Sequence, residues 1–150
     1  MDATLVFPII PASAKSLWVL AIIALVLVLG AALLSYLAWS TRHVTCSVSK
    51  EGLRIEGDLY GRVIPLRALQ LDKAVVTNLK QDKEHQAKWR TNGTGLPGYA
   101  SGWFKLRNGE KALLFVTDPT RVARIPTTEG YSVMLSVSEP AALIDALKRQ

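Results

Sequence analysis

The stretch Ser16 to Thr41, SLWVLAIIALVLVLGAALLSYLAWST, carries no charged side chain and is built almost wholly of Leu, Ile, Val and Ala. A helix rises about 1.5 Å per residue, so Leu17 to Leu37 alone would cover roughly the 30 Å hydrocarbon core of a bilayer. As a helix it satisfies its own backbone polar groups, which a lipid-exposed segment must do. A buried core helix would show a polar face, and Leu17 to Leu34 has none. A signal peptide has a shorter apolar region, about 7–15 residues, with a basic start and a small-residue exit. Here a single Lys15 precedes the run, and it leaves through Ser35-Tyr36-Leu37-Ala38. The sequence therefore predicts an uncleaved single-pass transmembrane helix over residues 16–41. Trp18, Tyr36 and Trp39 stand as interfacial aromatics, and Lys15 and Arg42 bracket the span.

That helix divides the chain into a leader (residues 1–15), the span (16–41) and one domain (42–150), which is long enough for a core of its own. The leader has an apolar half from Leu5 to Ile10, broken by Pro8 and Pro11, and no regular structure is expected for it. Asp2 and Lys15 cancel, so the net charge of +6 belongs to the domain. For a domain tethered at a bilayer the nearest polyanion is the lipid surface, and nucleic acid is not expected as a partner. Near the span, Arg42, Lys50, Arg54 and Arg62 outnumber Lys15, which is expected to place the domain on the cytoplasmic side of the membrane. Cys46 is the one cysteine, so an intramolecular disulfide and a four-ligand thiolate metal site are excluded, and a buried thiol is the expectation.

Beyond Arg42 the pattern becomes short β-rich pieces separated by turns. His43 to Ser49 alternates, with Val44, Cys46 and Val48 on one face, and Lys50-Glu51-Gly52 turns the chain into Leu53 to Glu56. Strands are expected at Tyr60–Leu66, Ala74–Leu79, Tyr99–Leu106, Lys111–Thr117, Arg121–Ile125 and Tyr131–Val137, with Asn108-Gly109 as a hairpin turn. Lys80 to Lys88 is polar and reads as a loop. Trp89 to Phe104, WRTNGTGLPGYASGWF, reads as a Gly-rich loop running into the strand that begins at Tyr99. A C-terminal helix opens at Ser138-Glu139-Pro140, with Ser138 as N-cap, and carries Ala141, Leu143, Ile144 and Leu147 as an apolar stripe.

Seven or eight short antiparallel strands closed by an amphipathic helix form the layout of a pleckstrin-homology (PH)-like barrel. The ending Arg124-Ile125-Pro126-Thr127-x-x-Gly130-Tyr131-Ser132, Leu135-Ser136-Val137, Pro140-x-x-Leu143-Ile144-x-x-Leu147 resembles the bacterial PH domain pattern. The segments GLRIEGDLYGRVIPL, WRTNGTGLPGYASGWF and NGEKALLFVTD following a span are similar to its membrane-anchored subgroup. The resemblance implies a mainly β fold, an antiparallel barrel capped by a C-terminal α-helix, and a non-catalytic module. Phosphoinositide-binding members of the wider superfamily carry a basic first hairpin, for which Lys50 and Arg54 are present here but Glu56 stands where the last Arg would fall.

No catalytic or cofactor-binding constellation is recognisable. Asn92 to Gly98 is Gly-rich but lacks the Gly-Lys-[Ser/Thr] of a phosphate loop, His43 and His85 have no metal-ligand spacing, and Glu56 with Asp58 reads as a solvated pair. The expected activity is protein interaction or self-association, through a surface formed by Lys88, Trp89, Arg90, Asn92, Tyr99 and Trp103. Of Trp103 and Phe104 one should enter the core, while Trp89 and Arg90 should be exposed. The alternative is binding of anionic lipid through Arg42, Lys50 and Arg54.

Overall fold

The computed structural model describes residues 14–40 and 44–150. The leader up to residue 13 and the junction that holds Arg42 and His43 lie outside the described residues, and the expectations placed on them lie there too. The chain divides into two units, one ending at Trp39 and one starting at Ser40. The first holds helix α1, Ala14–Ser40, whose last residue falls at the start of the second. Its segment Leu17–Tyr36 is long and apolar enough to cross a membrane, and none of it is buried by other protein.

The second unit is mainly β. Strands β1 (Thr45–Ser49), β2 (Gly52–Glu56) and β3 (Val63–Pro65) form an antiparallel sheet in that order. The other six are β4 (Val75–Thr77), β5 (Ala87–Leu96), β6 (Tyr99–Leu106), β7 (Lys111–Val116), β8 (Val122–Pro126) and β9 (Tyr131–Leu135). They form a second sheet in the order β4-β8-β9-β7-β6-β5. Helix α2, Pro140–Lys148, packs on β8, β1 and β4. The expected layout of strands capped by a C-terminal helix is therefore present. The strands lie in two sheets rather than one closed barrel, and one pair, β7 with β9, is parallel.

That parallel pair follows from β9 folding back on β8 and inserting between β8 and β7. A strand in that position is covered on both faces, which is why YSVML is buried at every position instead of alternating. Tyr131, Val133 and Leu135 join Leu113, Phe115, Ile125, Leu53, Ile55, Ile64 and Leu147 in the core shared by the two sheets and α2. Ser132 and Met134 point the other way. There Phe104, Leu106, Ala112, Leu114, Val116 and Val122 form a second cluster with Leu79, from the turn-rich segment after β4. Gln86 fastens that segment by donating its side-chain amide to the Leu79 carbonyl at 2.6 Å.

Three local expectations change. Strand Tyr60–Leu66 is shorter, because the Asp58 carboxylate captures the Tyr60 backbone N–H at 3.1 Å in a turn and Leu66–Ala68 winds into a 3-10 turn. Glu139, not Ser138, occupies the N-cap of α2; it makes no side-chain capping bond, and the start rests on Pro140 in the first turn. The Gly-rich segment expected as a loop is instead a ten-residue strand, β5, paired along β6 from Ala87↔Leu106 to Leu96↔Tyr99. Register shifts between Ala87 and Trp89 and between Arg90 and Asn92 break its alternation, so no period of two survives in the sequence.

Candidate functional site: an aromatic and basic row across the second sheet

The β5–β6 hairpin and the register of β7 and β9 bring one row of side chains to the same face. Trp89 on β5 lies opposite Lys105 on β6, Lys105 opposite Lys111 on β7, and Lys111 opposite Tyr131 on β9. One step along the strands, on the same face, stands Trp103, half-buried against the shared core. Its ring meets Tyr131 edge to face at 5.0 Å between centroids. The Lys111 ammonium sits 4.3 Å and the Arg62 guanidinium 4.9 Å from the Trp103 ring centre. Trp89 is 51 % exposed. Lys88 lies 4.9 Å and Lys105 5.7 Å from its ring centre. Each contact is a cation over an aromatic face, worth about 0.5–1 kcal/mol at exposed sites.

None of Arg62, Lys88, Lys105 and Lys111 forms an ion pair among the described residues; the acids that do so engage Arg54, His85 and Arg124 instead. One carboxylate that reaches the row is Glu129, at Tyr131. Burial pushes the Tyr131 phenol above its ordinary pKa and Glu129 adds to this, while Arg62 opposes it.

The sequence-predicted interaction residues separate into three groups. Lys88, Trp89 and Arg90 are exposed on β5, as expected. Trp103 and Phe104 both serve packing, Trp103 against the core between the sheets and Phe104, 5 % exposed, in the cluster on the opposite face. Asn92 and Tyr99 are engaged within the fold: Asn92 Oδ1 accepts the Tyr60 hydroxyl at 3.2 Å, and Tyr99 donates its hydroxyl to Asp58 Oδ2 at 2.6 Å. Sequence reasoning missed Lys105, Lys111, Arg62 and Tyr131 as members of the row. The signal was in the Asn108-Gly109 turn. Gly109 takes φ +88°, and the loop Arg107-Asn108-Gly109 between Leu106 and Glu110 sets Lys105 opposite Lys111.

Asp58 is a correction to the solvated-pair reading. It is half-buried, and its Oδ2 accepts from Tyr99 and, at 2.5 Å, from the fully buried Ser101 hydroxyl. The turn after β2 is thereby clipped to β6. Burial first, then the bond to Asp58 and its charge, push the Tyr99 phenol up to about 12. A phenol with a raised folded-state pKa contributes stability that is complete below pH about 10 and lost as pH rises towards about 12. Ultraviolet titration of the phenolates should show this late group, absent from Tyr99→Phe and moved part of the way back in Asp58→Asn, since burial remains. Asp58→Ala strands two hydroxyls, and a loss of about 1–3 kcal/mol is expected by denaturant titration.

The lipid-contact candidates do not converge. Lys50 is exposed in the β1–β2 turn, whereas Arg54 pairs with Glu56 at 3.2 Å and Glu51 at 3.6 Å, and Arg42 is outside the described residues. Cys46 is half-buried rather than buried. It lines a cavity of about 230 Å³ with Val44, Ile55, Phe115 and Leu135, and burial raises its thiol pKa. Residues 44–150 match the family described as bacterial PH domain.

The chain belongs to the bacterial PH domain family. The match begins at the first described residue after the apolar helix and runs through α2, so this PH domain comprises all nine described strands. No curated protein and no solved structure matches the chain.

Proposed function

We propose that this chain is a single-pass protein of the cytoplasmic membrane that presents its PH domain on the cytoplasmic side as a non-catalytic module for protein interaction or self-association. The observation that carries the reading is Trp89, a large indole left half-exposed on an edge strand between Lys88 and Arg90. Exposed aromatic and Arg side chains on a rigid element are the composition of interaction hot spots. The unburied apolar helix supports the anchor, and the excess of basic residues after it supports the orientation. Membership of the bacterial PH domain family supports a non-catalytic module. Binding of anionic lipid through the first hairpin is weakened by the two carboxylates beside Arg54.

The test is a photo-crosslinking amino acid at Trp89 in the full chain, activated in cells, with membranes then washed in alkaline carbonate. A discrete adduct retained in the washed membranes is expected, and the same probe at Asp145, exposed on α2, should give none. Co-expression of two differently tagged copies reports whether the adduct contains a second copy. Loss of the protein from the washed membranes would remove the anchor, and absence of an adduct at Trp89 would remove the interaction reading.

A further inference from the structure

We infer that the row Trp89, Lys105, Lys111, with Arg62 beside it, is a docking site for an acidic, extended segment of a partner protein; this rests on the protein-interaction reading above and names its site and chemistry. Lys105 and Lys111 are direct cross-strand partners on one face, an arrangement in which like charges repel. Neither they nor Lys88 nor Arg62 forms an ion pair among the described residues, so four positive charges converge around two indoles against one carboxylate, Glu129, which reaches the row at Tyr131. The charge that relieves such a row is negative and multiple. The indole of Trp89, with half its surface in water, adds an apolar group at one end. An extended chain sends every second side chain to one face, so alternating acidic and apolar residues match both features.

A protein segment is proposed over lipid headgroups because alternating acidic and apolar side chains match both the cations and the indole, and within the domain the row lies away from the residue at which the chain enters it. Val44, at which the chain enters the domain, lines the cavity together with Phe115, Thr117 and Leu135, at the far ends of β7 and β9. Lys111 and Tyr131 stand at the opposite, starting ends of those strands. The row is thus removed from the entry point by a strand length, about 17 Å at 3.3 Å per residue.

The experiment uses the full chain in phosphatidylcholine nanodiscs and a fluorescent octapeptide alternating Glu with Leu, with fluorescence anisotropy as readout. Saturable binding is expected, weakening with added salt and absent for the version with Gln in place of Glu. The double variant Lys105→Glu/Lys111→Glu should bind at least about tenfold more weakly, as charge reversal at a complementary contact requires, with its melting lowered by no more than the two lost cation–aromatic contacts account for. Lys105→Ala/Lys111→Ala, which removes the repulsion without reversing it, keeps the result readable if the first variant melts early. Equal binding of the Gln peptide, or full binding by both variants, overturns the proposal. Nanodiscs containing phosphatidylglycerol should leave the affinity unchanged; loss of peptide binding there would give the row to the lipid surface and also overturn it. A Trp89 cross-link that persists in the charge-reversed variant would leave the interaction function standing and reject this site.

Discussion

Trp103→Ala is expected to destabilise the domain by about 3 kcal/mol or more, while Trp89→Ala, one position along the same sheet face, leaves its melting nearly unchanged. The two indoles look alike in composition, and both carry two cations on their rings. They differ in what lies underneath. Trp103 is packed against the core between the sheets and stacked edge to face on Tyr131, itself 7 % exposed, so truncation opens a cavity beside a buried ring. It also releases Arg62 and Lys111 from the surface that holds them. Trp89 stands on the edge strand with half its surface in water, and its removal costs little burial. Arg90→Ala belongs with Trp89. Thermal melts of the three variants, followed by near-ultraviolet circular dichroism, separate the classes. Equal destabilisation by Arg90→Ala and Trp103→Ala would make the whole hairpin a structural lid and remove the recognition surface.

The same contrast shows what could be read from the sequence and what could not. The apolar helix was legible because its signal is cumulative over some twenty positions. β1 was legible because only one of its faces is covered, so Cys46 and Val48 alternate with exposed Thr45, Ser47 and Ser49. β5 was not. Two register shifts and glycines at 93 and 95 erase its period, and its strand character comes from pairing with β6 rather than from its own residues. Nor was the Asp58 clip legible, since Tyr99 and Ser101 lie more than forty positions away. The candidate site was half visible. Trp89 and Arg90 stood out as an aromatic and a cation in a Gly-rich stretch, but Lys105 and Lys111 become neighbours only once the hairpin register is fixed. The parallel placement of β9 then adds Tyr131 to the row, and local sequence carries no mark of it.

Gly102→Ala should be the most damaging small substitution in the site, costing about 3–5 kcal/mol from left-handed backbone strain and overpacking together. Gly102 holds φ +103°, where an L side chain is strained, and faces Gly93 directly across the β5–β6 pair. A methyl group at residue 102 would lie 2.6 Å from the Gly93 Cα and 2.7 Å from the Asn92 carbonyl oxygen, both backbone atoms that cannot swing aside. Relief would require the two strands to part at the middle of the hairpin. That movement would break the Tyr60 hydroxyl bond to Asn92 and pull Ser101 and Tyr99 from Asp58, so one methyl group unfastens both ties between the turn after β2 and the hairpin. Gly98→Ala is the control: it also has positive φ, +76°, but open space around it, so it should show the backbone cost alone, about 1 kcal/mol. Denaturant titrations of the two variants measure the difference. Similar losses for both would mean that the close approach of β5 to β6 at Gly93 and Gly102 does not hold the hairpin in place, and the row from Trp89 to Tyr131 would lose its fixed register.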